Sequence, residues 1–104
     1  MALSSEERKK VVPLCRMSAS AIDSWGPALW RFLHASSFAY PTEPTPERQR
    51  DTLTFLRILG TVLPCKTCRQ HYKTYVNSHL DERHVQSKEA LVLWVIELHN
   101  DVNR

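Results

Sequence analysis

Glycine is almost missing from this chain: Gly26 and Gly60 are the two in 104 residues. Phosphate-cradling loops of the G-x-G-x-x-G or P-loop type need glycines a few positions apart, so neither can be assembled. Apolar runs are short as well, none approaching the roughly 20 residues that span a bilayer. Period-2 alternation and the dipeptides of tight hairpins are absent, which leaves no sheet to build. A strong surplus of one charge is also missing: fourteen Lys and Arg face eleven Asp and Glu, a net charge of +3 at pH 7. The bases are scattered among the acids, which describes a solvated mixed surface and no nucleic-acid face. The opening residues, MALSSEERKKVV, lead into no apolar h-region, so no secretory signal is visible. Cysteine is scarce and odd in number: Cys65 and Cys68 are close in sequence, and Cys15 is left over.

What is present reads as helix. A chain of this length has room for one domain with a modest core, and any large cofactor would become part of that core. Residues 1–22 are polar, small and aperiodic, and are expected to form a flexible arm carrying Cys15; the folded domain is expected over residues 23–104. Asp23 or Ser24 is the expected cap of a first helix, which presents Leu29, Phe32, Leu33 and Ser36 on one face until Tyr40-Pro41. Thr45 and Pro46 open a second, whose buried stripe is Leu53, Leu56, Leu59 and Leu63 with Phe55, Ile58 and Val62 beside them. Pro64 separates this from a third helix, Cys65 to about Val76, with both cysteines in its first turn. After the polar stretch NSHLDERHVQ, Ser87 caps a fourth helix in which ALVLWVIEL is apolar nearly all round, continuing through HNDVNR.

The chemistry centres on LPCKTCRQHY, residues 63–72. Two sulfurs at i, i+3 on a helix share a face and can be bridged with little strain. Unpaired N–H groups at the helix start favour a thiolate, and Lys66 and Arg69 push the same way. An inert disulfide is one alternative, although so short a loop constrains the unfolded chain little. Zinc is the sharper one, because Cys65, Cys68, His79 and His84 come close to finger spacing; the protein would then be a zinc-stabilised or cofactor-free helical interaction module. In such a finger, however, the histidines belong on a helix and the cysteines on a hairpin, the reverse of what is expected here. Trp30 and His34 on the first helix, and His99 and Asn103 on the last, are i, i+4 pairs whose faces could sandwich a flat ligand.

WGPALWRFLHASSFAYP, LPCKTCRQHY and HNDVNR, in this order and at these separations, resemble the Erv/ALR-type FAD-linked sulfhydryl oxidases over about residues 24 to 104. The compact chain is similar to single-domain members, including those of mitochondria and of large DNA viruses, and C-x-x-C-x-x-H-Y resembles the same segment of the quiescin-type relatives. The resemblance implies an all-α four-helix bundle enclosing FAD, usually a homodimer. Such an enzyme turns dithiols or protein thiols into disulfides and passes the electrons to O2 to give H2O2. It implies Cys65 and Cys68 as the catalytic disulfide, Cys68 beside the flavin and Cys65 facing the substrate. Trp30, His34, Tyr40, His71, His99, Asn100, Val102 and Asn103 join Cys68 as implied cofactor contacts, with His99 flanking the adenine. No metal is implied. The implied compartments are the mitochondrial intermembrane space or, for a viral protein, the infected cell's cytoplasm or the virion. Family members usually continue past H-N-x-V-N with a basic segment and a short fifth helix; this sequence stops at Arg104.

Overall fold

A computed structural model describes residues 2–15 and 22–103, and among them there is no strand. The order is α1 (Ser5–Cys15), α2 (Ile22–Phe38), α3 (Pro46–Val62), α4 (Lys66–His79), a 3-10 turn (Glu82–Val85) and α5 (Lys88–Val102). The all-α expectation holds, and α2 to α5 are the four helices read from the sequence. Residues 16–21 and the Cys15 side chain lie outside the described residues, and with them the odd cysteine and part of the expected arm.

The starts of α1, α3, α4 and α5 each have a local cause. Thr45 Oγ1 accepts from the Arg48 N–H at 3.1 Å with Pro46 at the first helical position, and Ser87 Oγ accepts from the Ala90 N–H at 3.1 Å. Leu63, restricted to extended backbone by Pro64, closes α3 with ψ 137°. Cys65 caps α4 with its sulfur. The turn before α5 is a capping box in which Asp81 and His84 satisfy one another's backbone. Ser4 and Glu7 form another, Ser4 N–H to Glu7 Oε1 at 2.9 Å and Glu7 N–H to Ser4 Oγ at 3.2 Å, and α1 follows. That S-x-x-E signature opens a helix within the stretch read as aperiodic. Helix α2 begins at Ile22, so Asp23 and Ser24 sit inside it and do not precede it.

The helices pack as two pairs, α2 with α5 and α3 with α4, and the 3-10 turn touches α3 and α5. Leu53, Leu56, Leu59 and Leu63 are buried as expected, together with Leu91, Trp94, Val95 and Leu98 of α5. Three face assignments need correction. Phe55, Ile58 and Val62 are exposed by 41, 55 and 70%. On α2 the buried line is Leu33 and Ser37, continued by Tyr40 just past the helix end, while Phe32 and Ser36 face outward. On α5, Leu93 and Ile96 are exposed, so this helix is buried on one side only. In each case the apolar residue lies beyond the arc that a single neighbouring helix covers.

Gly60 marks the tightest crossing. A Cβ there would stand 2.7 Å from Tyr72 Cδ1, so α3 and α4 meet backbone to ring. Tyr72 is buried and its hydroxyl donates to the Leu56 carbonyl, which fixes α4 and the cysteines at its start against α3.

Candidate active site

A cleft of about 280 Å3 opens where the start of α4 meets α2, α3 and α5. Leu29, Leu33, Leu59, Leu63 and Leu98 make an aliphatic wall, and Trp25 and Trp30 add aromatic faces. The groups in it that carry chemistry are Cys68 and His71, one turn apart on α4, with Thr67 and Tyr72 beside them. Ligand pockets run from roughly 300 Å3 upward. The cleft therefore suits a planar, largely apolar ring system and not a whole dinucleotide. Trp30 is shared with a second hollow, which His34, Arg31 and His99 also line, so a longer ligand has a continuation past the indole.

The two sulfurs are unequal. Cys68 packs against the hydrophobic core and lines the cleft. Cys65 is the N-cap: its sulfur accepts from the Cys68 N–H at 3.3 Å and lies 3.1 Å from Thr67 Oγ1. Hydrogen bonds from Cys68 and Thr67 lower the Cys65 thiol to about 7. Cys68 moves the other way, raised first by burial and then by its bond to Cys65 and that neighbour's charge, with Arg69 opposing. The expectation that the helix start favours thiolate at the pair is thus met at the cap sulfur and reversed at the inner one. Both are thiols in this structure.

The flanking residues are brought together differently from the expected sandwich. Trp30 and His99 stack directly on each other, with centroids 4.0 Å apart and an angle of 13°. His34 Nε2 and His99 Nδ1 share a hydrogen bond of 3.0 Å, which ties α2 to α5. A flat ligand would therefore lie against this stacked unit, because no gap separates the two rings. Burial, aided by the charge of His34, lowers the His99 pKa. His71 Nε2 meets Asp101 Oδ2 at 2.9 Å, joining α4 to α5 at the cleft's edge.

Val102 lines the cleft, whereas Asn100 is exposed and Asn103 is the C-cap of α5. Tyr40 lies apart from the cleft: it is buried, donates from its hydroxyl to the Val85 carbonyl at 2.6 Å, and carries Arg48 over its ring at 5.7 Å. Sequence reasoning missed Thr67, Tyr72 and Asp101. Thr67 lies inside C-x-x-C and was legible as a local donor; Asp101 is 30 positions from His71 and carried no signal.

Nor are the four finger-spaced residues gathered. His79 stacks on Tyr75 and has a ring nitrogen 3.1 Å from that residue's carbonyl, while His84 Nδ1 accepts from the Asp81 N–H. Among the described residues no three His, Cys, Asp or Glu side chains converge as a metal site would require.

Residues 27–104 match the sequence model of the Erv1 / Alr family. The chain is 39% identical over 82 residues to a protein of Acanthamoeba polyphaga mimivirus named "Probable FAD-linked sulfhydryl oxidase", covering 78% of this chain and 57% of that one. It is 36% identical over 78 residues to the mitochondrial FAD-linked sulfhydryl oxidase erv1 of Schizosaccharomyces pombe, covering 75% and 43% respectively. It thus spans about half the length of these relatives. The crystal structure of the yeast Erv1 core superposes with a TM-score of 0.77 at 28% identity, over 85% of this chain and 73% of the other.

Proposed function

The chain belongs to the Erv1 / Alr family, and from that premise we propose that it is a thiol oxidase that holds FAD and forms disulfides in dithiol or protein-thiol substrates, with O2 as the final acceptor. The single observation that carries this reading is the division of labour in C-x-x-C: one sulfur lines an apolar cleft, and the other caps the helix outside it as the readier thiolate.

The residues present fit FAD. The leucines of the cleft and Trp30 would hold its ring system, Cys68 would stand beside that ring, and His34 and His99 with the hollow beyond Trp30 would hold the remainder. When bound, FAD supplies the two-electron acceptor that regenerates the disulfide and the reactivity toward O2. The chain's own part begins with the disulfide form of Cys65 and Cys68. A substrate thiolate attacks Cys65 Sγ, the accessible sulfur; the Cys65–Cys68 bond breaks, and Cys68 leaves as a thiolate. In that mixed disulfide Cys65 bears neither charge nor proton, so two of the three influences that raise Cys68 disappear and burial alone remains. Cys68 becomes the better thiolate at the step that needs it. A second substrate thiolate then attacks the substrate's own sulfur in the mixed disulfide, the substrate disulfide forms, and Cys65 leaves as a thiolate.

Val102 and His71, which line the cleft, and Asn100 and Asn103 at the end of α5 are proposed as outer contacts of the cofactor; Tyr40 serves by holding the turn before α5. A homodimer would cover the exposed stripe of Phe32, Phe55, Ile58 and Val62, in which the two phenylalanine rings already meet edge to face. Mitochondrial and viral relatives are both among the matches. The mitochondrial intermembrane space, or the cytoplasm or virion of a viral system, remains the proposed setting.

The test is direct. Protein purified with added FAD should be yellow, take up O2 with a small dithiol, and lose uptake in Cys65→Ser and in Cys68→Ser. A protein that stays colourless with excess FAD, or variants that keep full uptake, would refute the proposal.

A further inference from the structure

Setting Cys68 half-buried in an apolar cleft that a ligand would fill creates a difficulty that the disulfide relay does not itself solve. Between its dithiol and disulfide forms the pair loses two electrons and two protons. Cys65 exchanges its proton with solvent, whereas Cys68 is half-buried against leucines and tryptophans, and a ring seated in the cleft would cover its open side. Of the side chains lining the cleft, besides the cysteine itself, only His71 and Tyr72 titrate. Tyr72 is committed to the Leu56 carbonyl, and burial raises its pKa. His71 is placed otherwise: it lines the cleft on the same side of α4 as Cys68, is 52% exposed, and also borders the outer hollow beside Asp101.

We propose that His71, oriented by Asp101, is the group through which the proton of Cys68 leaves and re-enters the cleft. Asp101 Oδ2 accepts from His71 Nε2–H, so the lone pair of the neutral ring is on Nδ1. The step is a proton transfer, direct or through one water: the Cys68 S–H bond breaks, an Nδ1–H bond forms, and a thiolate and an imidazolium remain. The imidazolium returns its proton to bulk water on its exposed side. No electrons move in this step. They leave as the disulfide re-forms, to the flavin of the proposed function, on which this inference rests. Asp101 is a positioning residue. The titratable groups that share the two hollows with His71 are Cys68, Tyr72, Tyr75 and His79 on its own helix and Asp101 on α5.

The deciding experiment needs no cofactor. Iodoacetamide alkylation of Cys68 is followed against pH by peptide mapping in Cys65→Ser and in Cys65→Ser/His71→Gln, both full length and both checked for helix content. Gln retains a donor for Asp101, so a purely structural tie survives the change. The expected result is a profile displaced to higher pH in the double variant, with alkylation about tenfold slower at pH 7, as a one-unit rise in thiol pKa produces. Cys65→Ser/Asp101→Asn should be displaced in the same direction by less, and it serves if the Gln variant does not fold. Superimposed profiles would overturn the inference. Failure of FAD binding in otherwise wild-type protein would instead count against the proposed function and leave the alkylation result standing.

Discussion

At the start of α4 a sulfur takes the place that serine or threonine takes at α3 and α5, and this one substitution links folding to chemistry. Cys65 Sγ satisfies an otherwise unpaired N–H, and that bond, with Thr67, favours its thiolate. Iodoacetamide at pH 7 should therefore modify Cys65 before Cys68 in the reduced protein, and Thr67→Ala should shift the Cys65 profile to higher pH; equal rates at the two sulfurs would contradict this. A second position of consequence is Gly60. Alanine in a helix interior ordinarily gains about 1 kcal/mol over glycine. Here its Cβ would press on a Tyr72 ring that cannot swing away, and such overpacking costs about 1–3 kcal/mol. Gly60→Ala should lower stability in urea unfolding, with Tyr72→Leu partly relieving the penalty; a stabilised single variant would show that α3 and α4 adjust freely.

Helices were the most legible elements, because their signals are local: Thr45-Pro46, Ser87 and Leu63-Pro64 each set a boundary from two adjacent residues. The same kind of signal at Ser4 and Glu7 announces α1, although the residues after it lack a hydrophobic period. What one sequence does not carry is which side of a helix its neighbours reach. Phe32, Phe55 and Ile58 are as apolar as Leu33, Leu56 and Leu59, and only the packed arrangement separates them. The candidate site divides similarly: Cys65, Cys68, Trp30, His34 and His99 were readable from spacing and resemblance, whereas the His71–Asp101 tie and the Trp30–His99 stack depend on how α4 and α2 lie against α5. The His34–His99 bond makes one inter-helix contact sensitive to pH. With its folded pKa lowered, His99 binds fewer protons folded than unfolded. Its contribution to stability is present above the ordinary histidine value of about 6.5 and is lost as pH falls toward the lowered one. The thermal midpoint should drop between pH 7.5 and 5.5, and His99→Gln should flatten part of that slope. An unchanged slope would mean that the α2–α5 contact does not depend on the charge of that pair.

Taken whole, the molecule has an apolar interior shared between a conventional core and a reactive cleft, and an apolar exterior stripe on α2 and α3. Exposed apolar patches of this kind mark interaction surfaces more often than chance. Ile58→Lys/Val62→Lys should shift the proposed dimer toward monomer in sedimentation while leaving the visible spectrum of bound FAD; a wild-type protein that is already monomeric at all concentrations would remove the dimer from the account. The central claim is that Cys68 is the sulfur that meets the flavin and Cys65 the sulfur that meets the substrate. It is tested most directly by the absorption spectra of Cys65→Ser and Cys68→Ser, each loaded with FAD and titrated upward in pH. The account predicts a broad long-wavelength charge-transfer band in Cys65→Ser that grows as the half-buried Cys68 thiol ionises, and FAD without that band in Cys68→Ser. A band that appears only in Cys68→Ser would contradict it.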